Sequence, residues 1–210
     1  MQGFFALRVS LKLTVAVSPR AGKFSTLGRK KVQTIFLECG SVRLVPFSLA
    51  DIDLVKGLHS DPYGNRCSDY STGCDVADAE ELVSSSLKNQ KDLGFAKWKA
   101  VSSDGRFLGW AGFTPVSETS EISLNHCLRT DVVEQDKALP ERLCTALTAW
   151  FFENTYFSHL VAVVRTDNRD MREVVQKIGF AHRESKVIEG MQADVFQLFS
   201  PSMQSYLLTG

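Results

Sequence analysis

Residues 7–17 carry the first clear pattern: Leu7, Val9, Leu11, Leu13, Val15 and Val17 are apolar, and Arg8, Ser10, Lys12 and Thr14 lie between them. A period of two predicts a strand, not an amphipathic helix. The charges also break the apolar run that a transmembrane helix or a secretory signal needs. Further on, strand and helix patterns follow one another. Val42–Phe47 reads as a strand. Ser48, with Asp51 as a capping-box partner, opens a helix to about His59 whose apolar face is Ile52, Leu54, Val55 and Leu58. Residues 60–75 read as a polar loop. A second helix covers about Val76–Gln90, and its acidic first turn (Asp78, Glu80, Glu81) suits the helix dipole. Phe95–Ser102 and Phe107–Pro115 are strands joined by Ser103-Asp104-Gly105-Arg106, where Asp-Gly is the hairpin signal. Glu121–Arg129 is another strand. Pro140 suits the first turn of a helix running to Phe157, with Leu143, Leu147, Trp150, Phe151 and Tyr156 on its buried side. His159–Arg165, His182–Glu189 and Asp194–Phe199 read as strands, Asp194 itself as a turn residue.

Val161–Phe180 is the most informative stretch. A β-rich run leads to Asp167 and Asn168, which are turn and cap residues. Val174, Val175 and Ile178 give the next helix one apolar side. Gly179 supplies a left-handed stop, and Phe180 returns the chain to the core. An Asn opening a helix that closes in K-I-G-F resembles motif B of the GNAT acyl-CoA N-acyltransferases. The segments VRLVPFSLADID, GRFLGWAGF and NRDMREVVQKIGF, in that order, extend the resemblance over about residues 38–208. The layout is similar to the branch that acetylates ribosomal-protein alanine and serine N-termini. The element order, β-α-α-β-β-β-α-β-α-β-β, predicts an α+β fold of α/β three-layer type. It has a mixed, mostly antiparallel central sheet flanked by helices.

Charge divides the chain. Residues 1–37 hold seven Lys/Arg and no acid, which leaves 17 bases against 24 acids in 38–210. The expected organisation is therefore a basic N-terminal extension and linker over 1–37, outside the core, and one domain over 38–210. A transit peptide would also be basic and acid-free, but those are helical amphipaths. The acidic body argues against nucleic-acid binding, and nothing in the pattern points to a membrane. Five cysteines without a CxxC pair, and four scattered histidines, offer no metal-ligand spacing. Reduced thiols in a cytoplasm, in a monomer or homodimer, are the expectation.

The resemblance implies acetyl-CoA as co-substrate and a primary amine as acceptor, on a protein N-terminus or a small molecule. The family's pyrophosphate loop, Gln/Arg-x-x-Gly-x-Gly/Ala, aligns with Gln135-Asp136-Lys137-Ala138-Leu139-Pro140. Gln135, Lys137, Ala138, Leu139, Glu141 and Arg142 then stand at a helix start, where free N–H groups and the dipole hold anions. Ala138 replaces a glycine and Pro140 a Gly or Ala, and Pro140 has no N–H to offer. The backbone of Cys127, Leu128 and Arg129 would pair with the pantetheine amides, and Asn168 would meet the same arm or a water beside it. The family often carries a proton-donating Tyr where this chain has Val175. Glu121 matches a Glu of the ribosomal-protein branch and is expected to serve as the base through water. Ser123 shares its face and could bond the substrate or the leaving sulfur. His126 shares a face with Leu124 and Leu128, which suits a core histidine. The alternative is a non-catalytic protein of the same fold with a degenerate CoA loop.

Overall fold

The computed structural model describes residues 37–61, 76–116, 119–188 and 190–209. The strand expected at 7–17, the basic linker and residues 62–75 of the polar loop lie outside these residues. The fold is built on one eight-stranded sheet. Its strands are β1 (Leu37–Cys39), β2 (Val42–Val45), β3 (Lys97–Ser102), β4 (Phe107–Pro115), β5 (Ile122–Leu128), β6 (His159–Arg165), β7 (Ala181–Ile188) and β8 (Met191–Phe199). In space they run β1-β2-β3-β4-β5-β6-β8-β7. Every neighbouring pair is antiparallel except β5 and β6, which are parallel and share a single bridge, Ser123 opposite Val161. Helices α1 (Ile52–His59) and α2 (Val76–Leu93) cover one face. The short α3 (Thr130–Gln135) leads from β5 to α4 (Leu139–Asn154), which covers the other face with α5 (Arg169–Lys177). Helix α6 (Pro201–Thr209) ends the described chain. This is the expected three-layer, mostly antiparallel mixed-sheet fold.

The core shows why the aromatic positions lie where they do. Trp98, Phe113, Trp150 and Phe151 are buried between the sheet and α4, with Phe113 and Phe151 centroids 4.7 Å apart and Trp98 edge-on to Trp150 at 5.3 Å. Such pairs add about 0.5–1.5 kcal/mol beyond their burial. Trp98 Nε1 donates to Gln90 Oε1 at 2.7 Å, so its one polar atom is satisfied. Gly112 has φ +150°, and a Cβ there would sit 2.1 Å from the Ala96 carbonyl oxygen. Glycine is what lets β4 approach β3 so closely.

Several expectations need correction. Leu54 is 41% exposed and Tyr156 107% exposed, so neither belongs to a buried face. Helix α4 stops at Asn154, and the Thr155 hydroxyl donates to the Phe151 carbonyl at its end. Thr130–Gln135, between the expected strand and the Gln135–Pro140 segment, forms a short helix, begun by Val132 and Val133 N–H groups donating to the Arg129 carbonyl. Asp194 is no turn residue: it lies buried inside β8, held by Arg172 of α5 and by the Ser185 hydroxyl at 2.5 Å. β1 and α6 add elements that the pattern did not announce.

The Ser48 and Asp51 cap forms, with the Ser48 N–H donating to Asp51 Oδ2 at 2.8 Å, but its first turn is a 3-10 turn over Leu49–Asp51. Asp51 has a second partner. Its Oδ1 lies 2.6 Å from Lys99 Nζ of β3, with the two residues only 6% and 9% exposed. Burial alone would raise this carboxyl. The bonds from Lys99 and Ser48 outweigh burial and hold it below its ordinary range. The stabilisation is therefore present above the unfolded value near pH 4, and it is lost as pH falls through the depressed folded value. Lys99→Met should strand a buried carboxylate and lower the urea-unfolding free energy by about 3–5 kcal/mol. Asp51→Leu combined with Lys99→Met should recover most of that loss.

Candidate functional site

The cleft begins where β5 and β6 part. Beyond Ser123 and Val161 no further pairing joins them. The Arg129 N–H donates to the Leu108 carbonyl at 2.9 Å, so residues 125, 127 and 129 direct their backbone groups at β4. Antiparallel alternation then turns the backbone groups of His126 and Leu128 into the gap. Of the three residues expected to offer backbone to an extended ligand, Leu128 has its backbone groups in the gap. Cys127 and Arg129 do not: their amides face β4, and the Cys127 side chain is buried with Trp110 on the α1–α2 face.

At that end of the sheet α4 starts, and its Leu139 lines a hollow with Val42 of β2 and Leu108 of β4. Ala138 has φ −89° and ψ −8°, a right-handed conformation that needs no glycine. Pro140 sits in the first turn and offers no N–H. A carboxylate of the chain itself sits at this helix start. Asp136 receives Arg142 Nη1 at 3.1 Å and Nη2 at 2.6 Å. Arg142 foremost, and also the backbone amides of Ala138 and Leu139, hold the Asp136 carboxyl below its usual range. Gln135, Lys137 and Arg142 are exposed, Glu141 is half-buried and Leu139 is buried. Gln135, Asp136 and Leu139 also line a hollow of about 250 Å³ shared with Arg106 and Val42. Asn168 is buried as the cap of α5, its Oδ1 accepting from the Met171 N–H at 3.0 Å.

At the closed end, Glu121 stands just before β5. Its carboxylate takes both arms of Arg183 from β7, at 2.5 and 3.1 Å, and His159 Nε2 of β6 at 3.0 Å. The Arg183 bonds foremost, against the opposing effect of burial, hold Glu121 at about 2, with Thr119 and His159 adding to the shift. Ser123 is buried at the fork itself, and the Val163 N–H lies 3.4 Å from its hydroxyl oxygen. By alternation Glu121, Ser123, His159 and Val161 share the α1–α2 face, so the structure does gather the two expected catalytic residues. The Glu121 carboxylate is nevertheless a weak proton acceptor, because a base this acidic is poorly matched to an ammonium near neutrality. His126 is a core histidine, pushed down to about 4 by burial, with Nδ1 3.4 Å from Cys144 Sγ. Burial pushes the Cys144 thiol up to about 12. Val175 is buried in the core and has nothing to donate.

The sequence reading missed Arg183 and His159 as partners of Glu121, and nothing local signals a bond across 62 residues. The Asp136–Arg142 clamp spans only six positions around a helix start, and a search for Asp/Arg pairs there could have found it. Among the described residues, no helix is long and apolar enough to cross a membrane, and no group of three or more His, Cys, Asp or Glu converges as metal ligands would.

The family profile described as acetyltransferase (GNAT) domain matches residues 41–181. No curated protein sequence matches the chain. Among solved structures, an acetyltransferase from Agrobacterium tumefaciens str. C58 is 17% identical with a TM-score of 0.67, over 86% of this chain and 99% of that one. The ribosomal-protein-S5-alanine acetyltransferase from Vibrio fischeri is 9% identical with a TM-score of 0.62, over 80% of this chain and 97% of that one. RimL, a ribosomal L7/L12 alpha-N-protein acetyltransferase solved with coenzyme A, is 11% identical with a TM-score of 0.60, over 76% and 94%. At these identities the likeness is one of fold.

Arg183→Gln should release Glu121. In carbon-detected NMR the Glu121 carboxyl should titrate near 2 in the native chain and move up towards the ordinary value of about 4.3 in the variant. The stability this group contributes is present above that ordinary value and is lost as pH falls towards 2.

Proposed function

The chain belongs to the GNAT acetyltransferase family, and on that footing we propose that it transfers an acetyl group from acetyl-CoA to a primary amine. The observation that carries this reading is the parallel β5–β6 pair, held by one bridge and unpaired beyond it towards the end of β5. An extended thioester arm can add to β5 through the free backbone groups of His126 and Leu128. Lys137, with Gln135 and Arg142, stands where the phosphates of such a ligand would come to rest. The thioester supplies the activated acetyl group when bound.

Glu121 stays ionised throughout the physiological range, with its charge balanced by Arg183. The proton leaves to water, because Glu121 is too acidic to keep it. Ser123 offers a hydroxyl at the fork to the reacting groups. The amine attacks the thioester carbon directly: the C–N bond forms, the C–S bond breaks, and the nitrogen's second proton passes through solvent to the departing sulfur, leaving an amide and a free thiol. Buried Cys144, raised to about 12, is no nucleophile for an acyl-enzyme. Two of the three structural neighbours named above act on ribosomal proteins by their titles, so a protein N-terminal amine is the acceptor class to try first. A small-molecule amine is the other. The cytoplasm is the compartment this reading assigns, with the described cysteines reduced.

The Asp136–Arg142 clamp favours a second reading, a GNAT-fold binding protein whose phosphate site is filled by its own carboxylate. Calorimetry on the full chain separates the two. The enzyme reading expects acetyl-CoA to bind with micromolar Kd, about −8 kcal/mol, and Asp136→Asn to tighten it several-fold. Binding by Asp136→Asn alone would favour the second reading. Binding by neither, up to millimolar ligand, would sink the acetyltransferase reading.

A further inference from the structure

Beyond the bridge at Ser123, the ladder holds β5 from one side only. Its odd residues bond to β4, as far as the Arg129 N–H on the Leu108 carbonyl, while the backbone groups of His126 and Leu128 face the gap. Towards the helix layer the strand is tied by a side chain. His126 turns its ring to α4, where Nδ1 lies 3.4 Å from Cys144 Sγ. Both residues are buried, His126 at 4% exposure and Cys144 at 0%. Both are also uncharged near neutrality, because burial pushes the ring down to about 4 and the thiol up to about 12. Salt does not screen a bond between neutral groups.

One residue thus acts in two directions. The main chain of His126 offers an N–H and a C=O to the gap, and its ring joins the same residue to α4. Cys144 stands one turn after Pro140 and two residues after Arg142, close to the helix start to which the phosphates were assigned. β5 and α4 also touch through apolar side chains, Leu124 and Leu128 with Leu143 and Leu147 among them. Apolar contact resists separation but has no direction, so it does not stop one element sliding on the other. A hydrogen bond has a preferred distance and angle, and it does.

We infer that the His126–Cys144 contact is a strut that fixes the β5 backbone against the first turns of α4, and that both are positioning residues for a ligand long enough to lie on the two at once. On the acetyl-CoA reading, on which the identity of that ligand rests, the thioester arm lies on β5 and the phosphates at the helix start. The two halves are covalently linked, so the second binds at high effective concentration only where the span of the site matches the span of the ligand. Loosening the strut spoils that match and leaves each half-site as it was.

Calorimetry on the full chain with two ligands tests this: acetyl-CoA, and 3′-phosphoadenosine 5′-diphosphate, which is its nucleotide half without the arm. Cys144→Ala should weaken acetyl-CoA by roughly three- to ten-fold, as loss of one hydrogen bond does, and leave the nucleotide half unchanged. Cys144→Ser, which keeps a hydroxyl in place of the thiol, should bind both as the native chain does. Native acetyl-CoA affinity in Cys144→Ala, equal weakening of the two ligands, or a Cys144→Ser variant as weak as Cys144→Ala would each overturn the strut. A native chain that binds neither ligand defeats the acetyl-CoA reading instead, and hydrogen exchange on the free chain then decides the strut. The Cys127 and Arg129 amides, which face β4, should exchange faster in Cys144→Ala than in the native chain while those of β3 do not change. Unaltered exchange at Cys127 and Arg129 would overturn it.

Discussion

The rest of the molecule is arranged around the meagre pairing of β5 and β6. Two parallel strands in the middle of a sheet share one bridge, so the sheet's backbone bonding is almost interrupted there. The two halves are held by other means. β6 is secured on its far side by a full antiparallel ladder to β8. Behind the gap, α4 and α5 bury Leu143, Leu147, Met171 and Val175 against both halves. A helix layer thus supplies the continuity that the ladder lacks, which leaves unpaired backbone on β5 at the mouth of a cleft. Unpaired backbone in a protein interior is otherwise costly, and here it is what a ligand could use.

The same principle governs the acids near the cleft. Glu121 is gripped by Arg183, Asp136 by Arg142 and Asp194 by Arg172. Each carboxylate has a guanidinium from a different part of the chain or the far side of a turn. The exposed pairs contribute little to stability, as surface ion pairs do. Their effect is on chemistry. They fix charge, and they remove from each carboxylate the basicity that its position alone would suggest. A reading of Glu121 as a base required a free carboxylate, and Arg183 takes that freedom away.

Legibility in the sequence followed distance along the chain. The Asp104-Gly105 hairpin and the Asn168 cap are readable because cause and effect lie within three residues of each other. β4 and β5 are readable as short apolar runs because helices cover both of their faces, and the apolar side of α4 is readable because that side meets the core. Tyr156 misled because the helical spacing continues past the true end of α4 at Asn154. β1 is only three residues long, too short for a period to show. The Asp51–Lys99 pair joins residues 48 apart, and the Glu121–Arg183 pair residues 62 apart. No local rule reaches so far, so the fold could be read, while the electrostatic state of the residues around the β5–β6 split could not.

On the acetyltransferase reading, a phosphate arriving at the start of α4 would meet Arg142 already bonded to Asp136. An ordinary cationic site gains a ligand by addition, and salt weakens it by screening the attraction. This one would exchange one anion for another. Both side chains of the resident pair are about half exposed, so parting them costs the exchange little. Screening loosens the resident pair as well as the arriving one, so salt would act on both sides of the competition and its effects would partly cancel.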